Sequence, residues 1–194
     1  MRERYSGSVR LIDAELAVPY GEGKVIFIEH MNDLFADGVS RKDASRILEH
    51  CVEWPENEYV FQTKDPDRLW EQLSELPKNS MIGTTIETDR DYPIIRHNAP
   101  PPWIRARALR RIREDTPGSR FFVTVEPVLD FNPGPLASLI IEAGPTFVNI
   151  GADSKRSGLP EPRHSKVLDL IVRLQAVGIE IRQKRNLERL LVKV

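Results

Sequence analysis

The sequence predicts an α/β fold: an incomplete parallel (β/α) barrel, TIM-like, of about six strands with helices outside. Three observations carry this expectation. Short apolar runs recur along the 194 residues, at Val25–Ile28, Tyr59–Phe61, Met81–Thr85, Phe121–Val125, Phe147–Ile150 and Ile179–Ile181. The segments between them place apolar residues at helical spacing. The runs themselves lack the polar alternation of a half-exposed sheet, as strands covered on both faces do. Such a rhythm suits a barrel or partial barrel better than a small sandwich, with a flavodoxin-like open sheet as the other arrangement.

The helices announce themselves in order. Ser40 caps the first, with Asp43 three residues on in the manner of a capping box. Its apolar face carries Ala44, Ile47, Leu48, Cys51 and Val52. Asp65 and Pro66 suit the N-cap and first-turn positions of the next helix, which is expected to bury Leu69, Leu73 and Leu76. Trp103–Arg113 sets Ile104, Ala108, Leu109 and Ile112 on one side, and its arginines, Arg105, Arg107, Arg110, Arg111 and Arg113, read as a solvated outer face. Asn132 and Pro133 start a helix burying Leu136, Leu139, Ile140 and Ala143. His164–Val177 turns Val167, Leu168, Ile171 and Leu174 inward and stops at Gly178. A last helix begins near Asn186. Pro100–Pro102 and Gly151–Pro162 are loops within one domain, because the alternation resumes after each.

Composition narrows the function classes. A net charge of −1 supplies no broad field toward nucleic acid, so the arginine-rich helix is the one segment that suggests such a partner. No apolar run nears the ~20 residues of a membrane span, and MRERYSGSVR lacks the apolar centre of a signal peptide, so a cytoplasmic location is expected. The single cysteine, Cys51, excludes an internal disulfide and any all-cysteine metal site built by one copy of the chain. No GxxxxGK[ST] or GxGxxG occurs, and His97 and His164 sit in loop or helix-start contexts.

The strand ends are where the chemistry gathers. Phe121–Val125 ends in Glu126 and, beyond it, Asp130, although an unpaired buried charge is costly. Glu126 has company. Glu29, His30, Asn32 and Asp33 follow the first run, Gln62 and Lys64 the second, and Glu87, Asp89 and Arg90 the third. The fifth carries Asn149, then Asp153 and Lys155; the sixth leads to Arg182, Gln183, Lys184 and Arg185. In a parallel array these C-terminal ends converge on one rim, where ligands bind. Pairing among the rim charges is the competing explanation for any single residue.

The segments IFIEHMNDLF, YVFQTKDP, GTTIETDRDY, FVTVEPVLDF and FVNIGADSKRSGLPEP, in that order, resemble a phage and prokaryotic branch of the radical SAM superfamily over about Arg10–Leu191. The resemblance implies a partial TIM barrel with S-adenosylmethionine beside a [4Fe–4S] cluster at its mouth. By the same resemblance Glu29 and His30 fall where the methionine amino group is met, Thr85 and Glu87 where the ribose hydroxyls are met, and Glu126 and Asn149 on the adenine side. The other rim groups, Gln62, Lys64, Asp153, Lys155, Lys184 and Arg185, are assigned to a substrate or anion.

The family's CxxxCxxC motif after the first strand is not in this sequence. Val25–Ile28 therefore corresponds to the family's second strand, and the chain is expected to lack the first strand and cluster loop, as a truncated piece or a natural short form. A [4Fe–4S] cluster is then expected only if cysteines come from a missing segment or a partner. Catalysis by this chain alone is not expected. The open edge left by the first strand calls for Val9–Leu16, a second copy of the chain or a split partner to cover it. The competing functions are a divalent-metal-dependent hydrolase or isomerase built on Glu29, His30, Asp33, Glu87 and Glu126, and a binding module without chemistry.

Overall fold

A parallel strand needs a crossover to reach its neighbour, and this chain supplies a helix or turn of helix at each crossing. The computed structural model describes residues 9–28, 32–92, 98–155 and 157–192. Its elements are α1 (Asp13–Leu16), β1 (Val25–Phe27), α2 (Arg41–Val52), β2 (Glu58–Thr63), α3 (Pro66–Trp70), β3 (Ser80–Thr85), α4 (Pro102–Asp115), β4 (Arg120–Val125), α5 (Pro133–Ala143), β5 (Phe147–Ile150), α6 (His164–Ala176), β6 (Glu180–Gln183) and α7 (Glu188–Leu191). The strands pair in chain order, β1 to β6, every pair parallel. They form a curled half-barrel with the helices around its convex side, the incomplete barrel the sequence predicts.

The caps are those read from the sequence, with one difference. Ser40 Oγ accepts from Asp43 N at 3.0 Å and donates to its carboxylate at 2.8 Å, and Asp65 accepts from Arg68 N at 3.4 Å. Asn132 precedes α5 but does not cap it with its side chain. Its backbone N–H and its Nδ2 donate to Asp89 instead, at 2.7 and 2.9 Å.

The main core lies between the convex face of the sheet and the helices, around Phe61, Ile82, Phe121, Val123, Val148, Leu109, Ile140 and Leu174. Three expectations fail on helical phase. Val52 is exposed, because the buried stripe of α2 is Ala44, Leu48 and Cys51 and the next residue turns about 100° away. Leu168 is exposed for the same reason; the buried stripe of α6 is Val167, Leu170, Ile171 and Leu174. Arg105 is only 2% exposed, not on the outer face, since it extends the stripe Ala108, Leu109 and Ile112 by one turn. The helix predicted after Asp65 is also shorter than its apolar pattern. It ends at Trp70, and Leu73 sits in a following 3₁₀ turn, partly buried with Leu76.

Val9–Leu16 and the residues after it make their described contacts with α2 and the start of β2. Asp13 pairs with Arg46 at 2.6 Å, Val18 O meets His50 Nε2 at 3.1 Å, and Asn57 Nδ2 donates to Gly21 O at 2.7 Å.

The concave face carries its own, smaller apolar cluster of Val60, Met81, Phe122 and Phe147. Residues pair across it in level rows. One row runs Gln62, Gly83, Phe122, Phe147, Glu180, and the next toward the rim runs Thr85, Thr124, Asn149, Arg182. Phe122 and Phe147 lie parallel with centroids 5.4 Å apart, and the Arg182 guanidinium covers Phe147 at 3.5 Å. Gly83 is what lets Phe122 lie flat, because a Cβ there would run into the phenyl ring. Gly83→Ala should therefore destabilise the fold by about 1–3 kcal/mol through overpacking. Urea denaturation measures this, and an unchanged midpoint would show that the ring can move aside.

Candidate functional site

The C-terminal strand ends lie along one edge of the sheet, and the described side chains there can be placed. Glu87 follows β3 and is 1% exposed. Its Oε1 meets Lys64 Nζ at 2.5 Å, and its Oε2 lies 2.9 Å from Arg105 Nη2. Arg105 Nη1 also donates to Thr85 O at 2.6 Å, so one helix side chain holds both the end of β3 and the acid beyond it. The Glu87–Arg105 contact is close without being a well-aligned hydrogen bond; Glu87 Oε2 and Arg105 Nε have no hydrogen-bond partner among the described residues. Burial alone would raise the Glu87 pKa, but the charges of Arg105 and Lys64 hold it below its ordinary 4.5.

The loop carrying Glu87 is tied to the loop after β4. Leu129 N donates to Glu87 O at 3.1 Å and Thr88 Oγ1 to Asp130 O at 2.8 Å. The Asp130 carboxylate takes Arg90 and Lys166, each at 2.6 Å. Asp33 acts similarly on the loop after β2, accepting from Thr63 Oγ1 at 3.1 Å and Lys64 N at 2.8 Å.

Glu126 closes the opposite side of the mouth. It meets Lys184 Nζ, and Asn186 Nδ2 donates to its Oε1 at 2.7 Å and to Ala152 O at 2.8 Å. Its counter-ion is thus a lysine arriving from the strand two places along. Gly151 permits the approach, since a Cβ there would stand 2.6 Å from Glu126 Oε1.

Between these two charged groups lies a neutral polar row. Gln62 Nε2 donates to Thr85 Oγ1 at 3.0 Å, and Thr124 Oγ1 donates to Gln62 Oε1 at 3.2 Å. Asn149 stands beside Thr124 in register, half-buried, with no side-chain hydrogen bond to any described residue. Gln62, Thr85, Glu87, Lys64, Glu126, Asn149 and Lys184 therefore all stand at or just beyond the C-terminal ends of the strands. Asp153 is turned into its own loop, accepting from Lys155 N at 3.0 Å and from Ser157 N, while Lys155 and Arg185 are exposed. Glu29, His30 and His97 lie outside the described residues.

Sequence reasoning missed Arg105 and Thr124. Arg105 sits three, four and seven residues before Ala108, Leu109 and Ile112, so its place in the buried stripe was written in the spacing. Thr124 sits two residues before Glu126 and hence on the same sheet face.

At the β1 side of the described sheet Val25 and Phe27 are exposed. Two open hollows lie away from the mouth. One of about 510 Å³ lies against α4 between Arg107, Arg111, Glu114 and Glu142, and one of about 460 Å³ lies at the foot of the barrel by Glu58, Ser80 and Arg120. Both are lined by charges of both signs. Among the described residues no group of three or more His, Cys, Asp or Glu side chains could hold a metal ion. Glu87 is committed to Arg105 and Lys64, and Glu126 to Lys184 and Asn186, which takes two carboxylates from the expected metal set.

The same half-barrel occurs in a solved structure. A radical SAM methyltransferase from Sphaerobacter thermophilus superposes with a TM-score of 0.57 at 20% identity, over 84% of this chain and 51% of that one. The chain has a radical-SAM-like fold. It spans about half the length of that methyltransferase. No family model matches the sequence, and no curated protein does.

Arg105 is the residue on which the site's shape rests. Arg105→Met leaves a buried carboxylate with Lys64 alone and should cost about 3–5 kcal/mol at neutral pH. The Glu87 pKa is depressed in the folded protein, so its stabilisation is present above the ordinary 4.5 and is lost as pH falls through the folded value. Removing Arg105 raises that value, so the gap between variant and wild type should narrow as pH drops from about 6 toward 4. Urea melts at a series of pH values measure it; a gap independent of pH would mean that packing, not charge, dominates.

Proposed function

We propose that the concave mouth binds S-adenosylmethionine or a related nucleotide, and that this chain supplies a radical-SAM-like binding half without cluster ligands of its own. The observation that carries this reading is the row Thr85, Thr124 and Asn149 on the concave face of a radical-SAM-like fold, with the Asn149 amide unengaged by any described residue. An amide and two hydroxyls suit the hydroxyls and ring nitrogens of a nucleoside. The flanking carboxylates and lysines suit a zwitterionic amino-acid end.

The donor set does not fit a [4Fe–4S] cluster. The chain has one cysteine, and Cys51 is fully buried on α2, on the convex side of the sheet. Burial pushes its thiol up to about 12, the reverse of what a thiolate ligand needs. Cluster chemistry at this mouth would require cysteines from another polypeptide segment, whether preceding this one or on a partner seated along the β1 edge. What the residues here can do is bind and orient a ligand, holding its polar edge between Thr85 and Asn149 above the Phe122–Phe147 floor.

Titration calorimetry with S-adenosylmethionine should give saturable binding. Asn149→Ala should weaken it about fivefold to tenfold, one ligand hydrogen bond, with less than about 0.5 kcal/mol lost from folding stability. Absence of heat with both S-adenosylmethionine and S-adenosylhomocysteine would overturn the reading.

A further inference from the structure

Gln62 has an unusual position for a polar side chain in a parallel sheet. It lies one row below Thr85 and Thr124, opposite Gly83, where no side chain blocks its path upward. Its carboxamide reaches both threonines at once, donating to Thr85 Oγ1 at 3.0 Å and accepting from Thr124 Oγ1 at 3.2 Å. Thr85 is 3% exposed and Thr124 4%.

A hydroxyl has one hydrogen and two lone pairs. Thr124 gives its hydrogen to Gln62, so toward the mouth it can only accept. Thr85 receives from Gln62 and gives its own hydrogen to no described side chain or carbonyl. A buried hydroxyl with an unused hydrogen favours an acceptor brought to it. Two chemically identical side chains, adjacent in register, thereby acquire opposite polarity. Asn149, next along the row, adds an amide that can both donate and accept.

We infer that Gln62 is a positioning residue that sets the polarity of the mouth, so that Thr85 donates to, and Thr124 accepts from, a ligand edge carrying an acceptor beside a donor, as a nucleoside does. The inference rests on the nucleotide-binding reading and deepens it: it states which hydrogen-bond pattern the site selects. Gln62 itself need not touch the ligand. Its effect passes through the two hydroxyls.

The discriminating variant is Gln62→Glu. It is isosteric, but an ionised carboxylate only accepts, so both threonine hydroxyls turn toward it and Thr85 no longer offers its hydrogen. A protonated carboxyl again has one donor and one acceptor and restores the pattern. The described charged neighbours on this face are paired and common to both proteins: Lys64 with Glu87 and Lys184 with Glu126 toward the rim, Arg182 with Glu180 along the sheet, and Arg120 with Glu58 at the foot.

The experiment is titration of the wild-type chain and Q62E with S-adenosylmethionine at several pH values, read as the ratio of their Kd values. The ratio should be about fivefold to tenfold against Q62E near pH 7.5 and should fall toward one near pH 5. Thr85→Val should lose the same factor at every pH and Thr85→Ser should retain wild-type affinity. A Q62E protein that binds as wild type throughout, or a deficit that does not recover on acidification, overturns the positioning role while leaving the nucleotide reading intact. No binding by the wild type removes both.

Discussion

Sequential parallel pairing is the constraint from which the rest of this structure follows. Each strand must be reached by a crossover of one hand, so every helix falls on the same side of the sheet. Two consequences are immediate. All strand ends of one polarity meet at one rim, and among the described residues no helix covers the inner face. A sheet buried on its helical side by Phe61, Ile82, Val123 and Val148 must fill its other side from its own side chains.

The filling is graded from foot to rim. Val60, Met81, Phe122 and Phe147 are nearly closed off, although none of the described helices or strands lies over them. They manage it by stacking on one another, by the missing side chain at Gly83 and by the Arg182 guanidinium spread over Phe147. The apolar floor excludes water beneath the next row, where Gln62, Thr85 and Thr124 satisfy one another. Above that row stand the charges of Glu87 and Glu126, while the other ion pairs of this face, Arg120–Glu58 and Arg182–Glu180, lie at the foot and on the outermost strand β6. The order matches desolvation cost: apolar groups deepest, neutral polar groups next, ions where solvent or a partner is within reach.

Glu87 departs from that order, since it is buried as deeply as the phenylalanines. The departure is tolerable because α4 sends an arginine through the core to meet it, and because Lys64 arrives from the neighbouring strand end. A buried pair of this kind is a weak source of stability and a strong source of definition. It fixes the end of β3 through Thr85 O and so fixes the hydroxyl that the proposed ligand would meet. The site's most deeply buried carboxylate is held by Arg105 and Lys64; its least engaged polar groups are Asn149 and the Thr85 hydrogen.

The sequence by itself determined the strand and helix rhythm, the caps at Ser40 and Asp65, and the placing of Gln62, Lys64, Glu87, Glu126 and Lys184 at the C-terminal strand ends. Each is set locally, by spacing, by a side chain bonding to its own backbone, or by the direction of a parallel strand. What only the tertiary structure decided is who pairs with whom. Arg105 looked like one more solvated arginine until the helix was placed with its stripe against Glu87, and Glu126 acquired a lysine from a strand 58 residues away. The opposite polarities of Thr85 and Thr124 exist only because β2, β3 and β4 lie side by side with Gly83 between. Such pairings depend on distances between segments far apart in the chain, which periodicity does not encode.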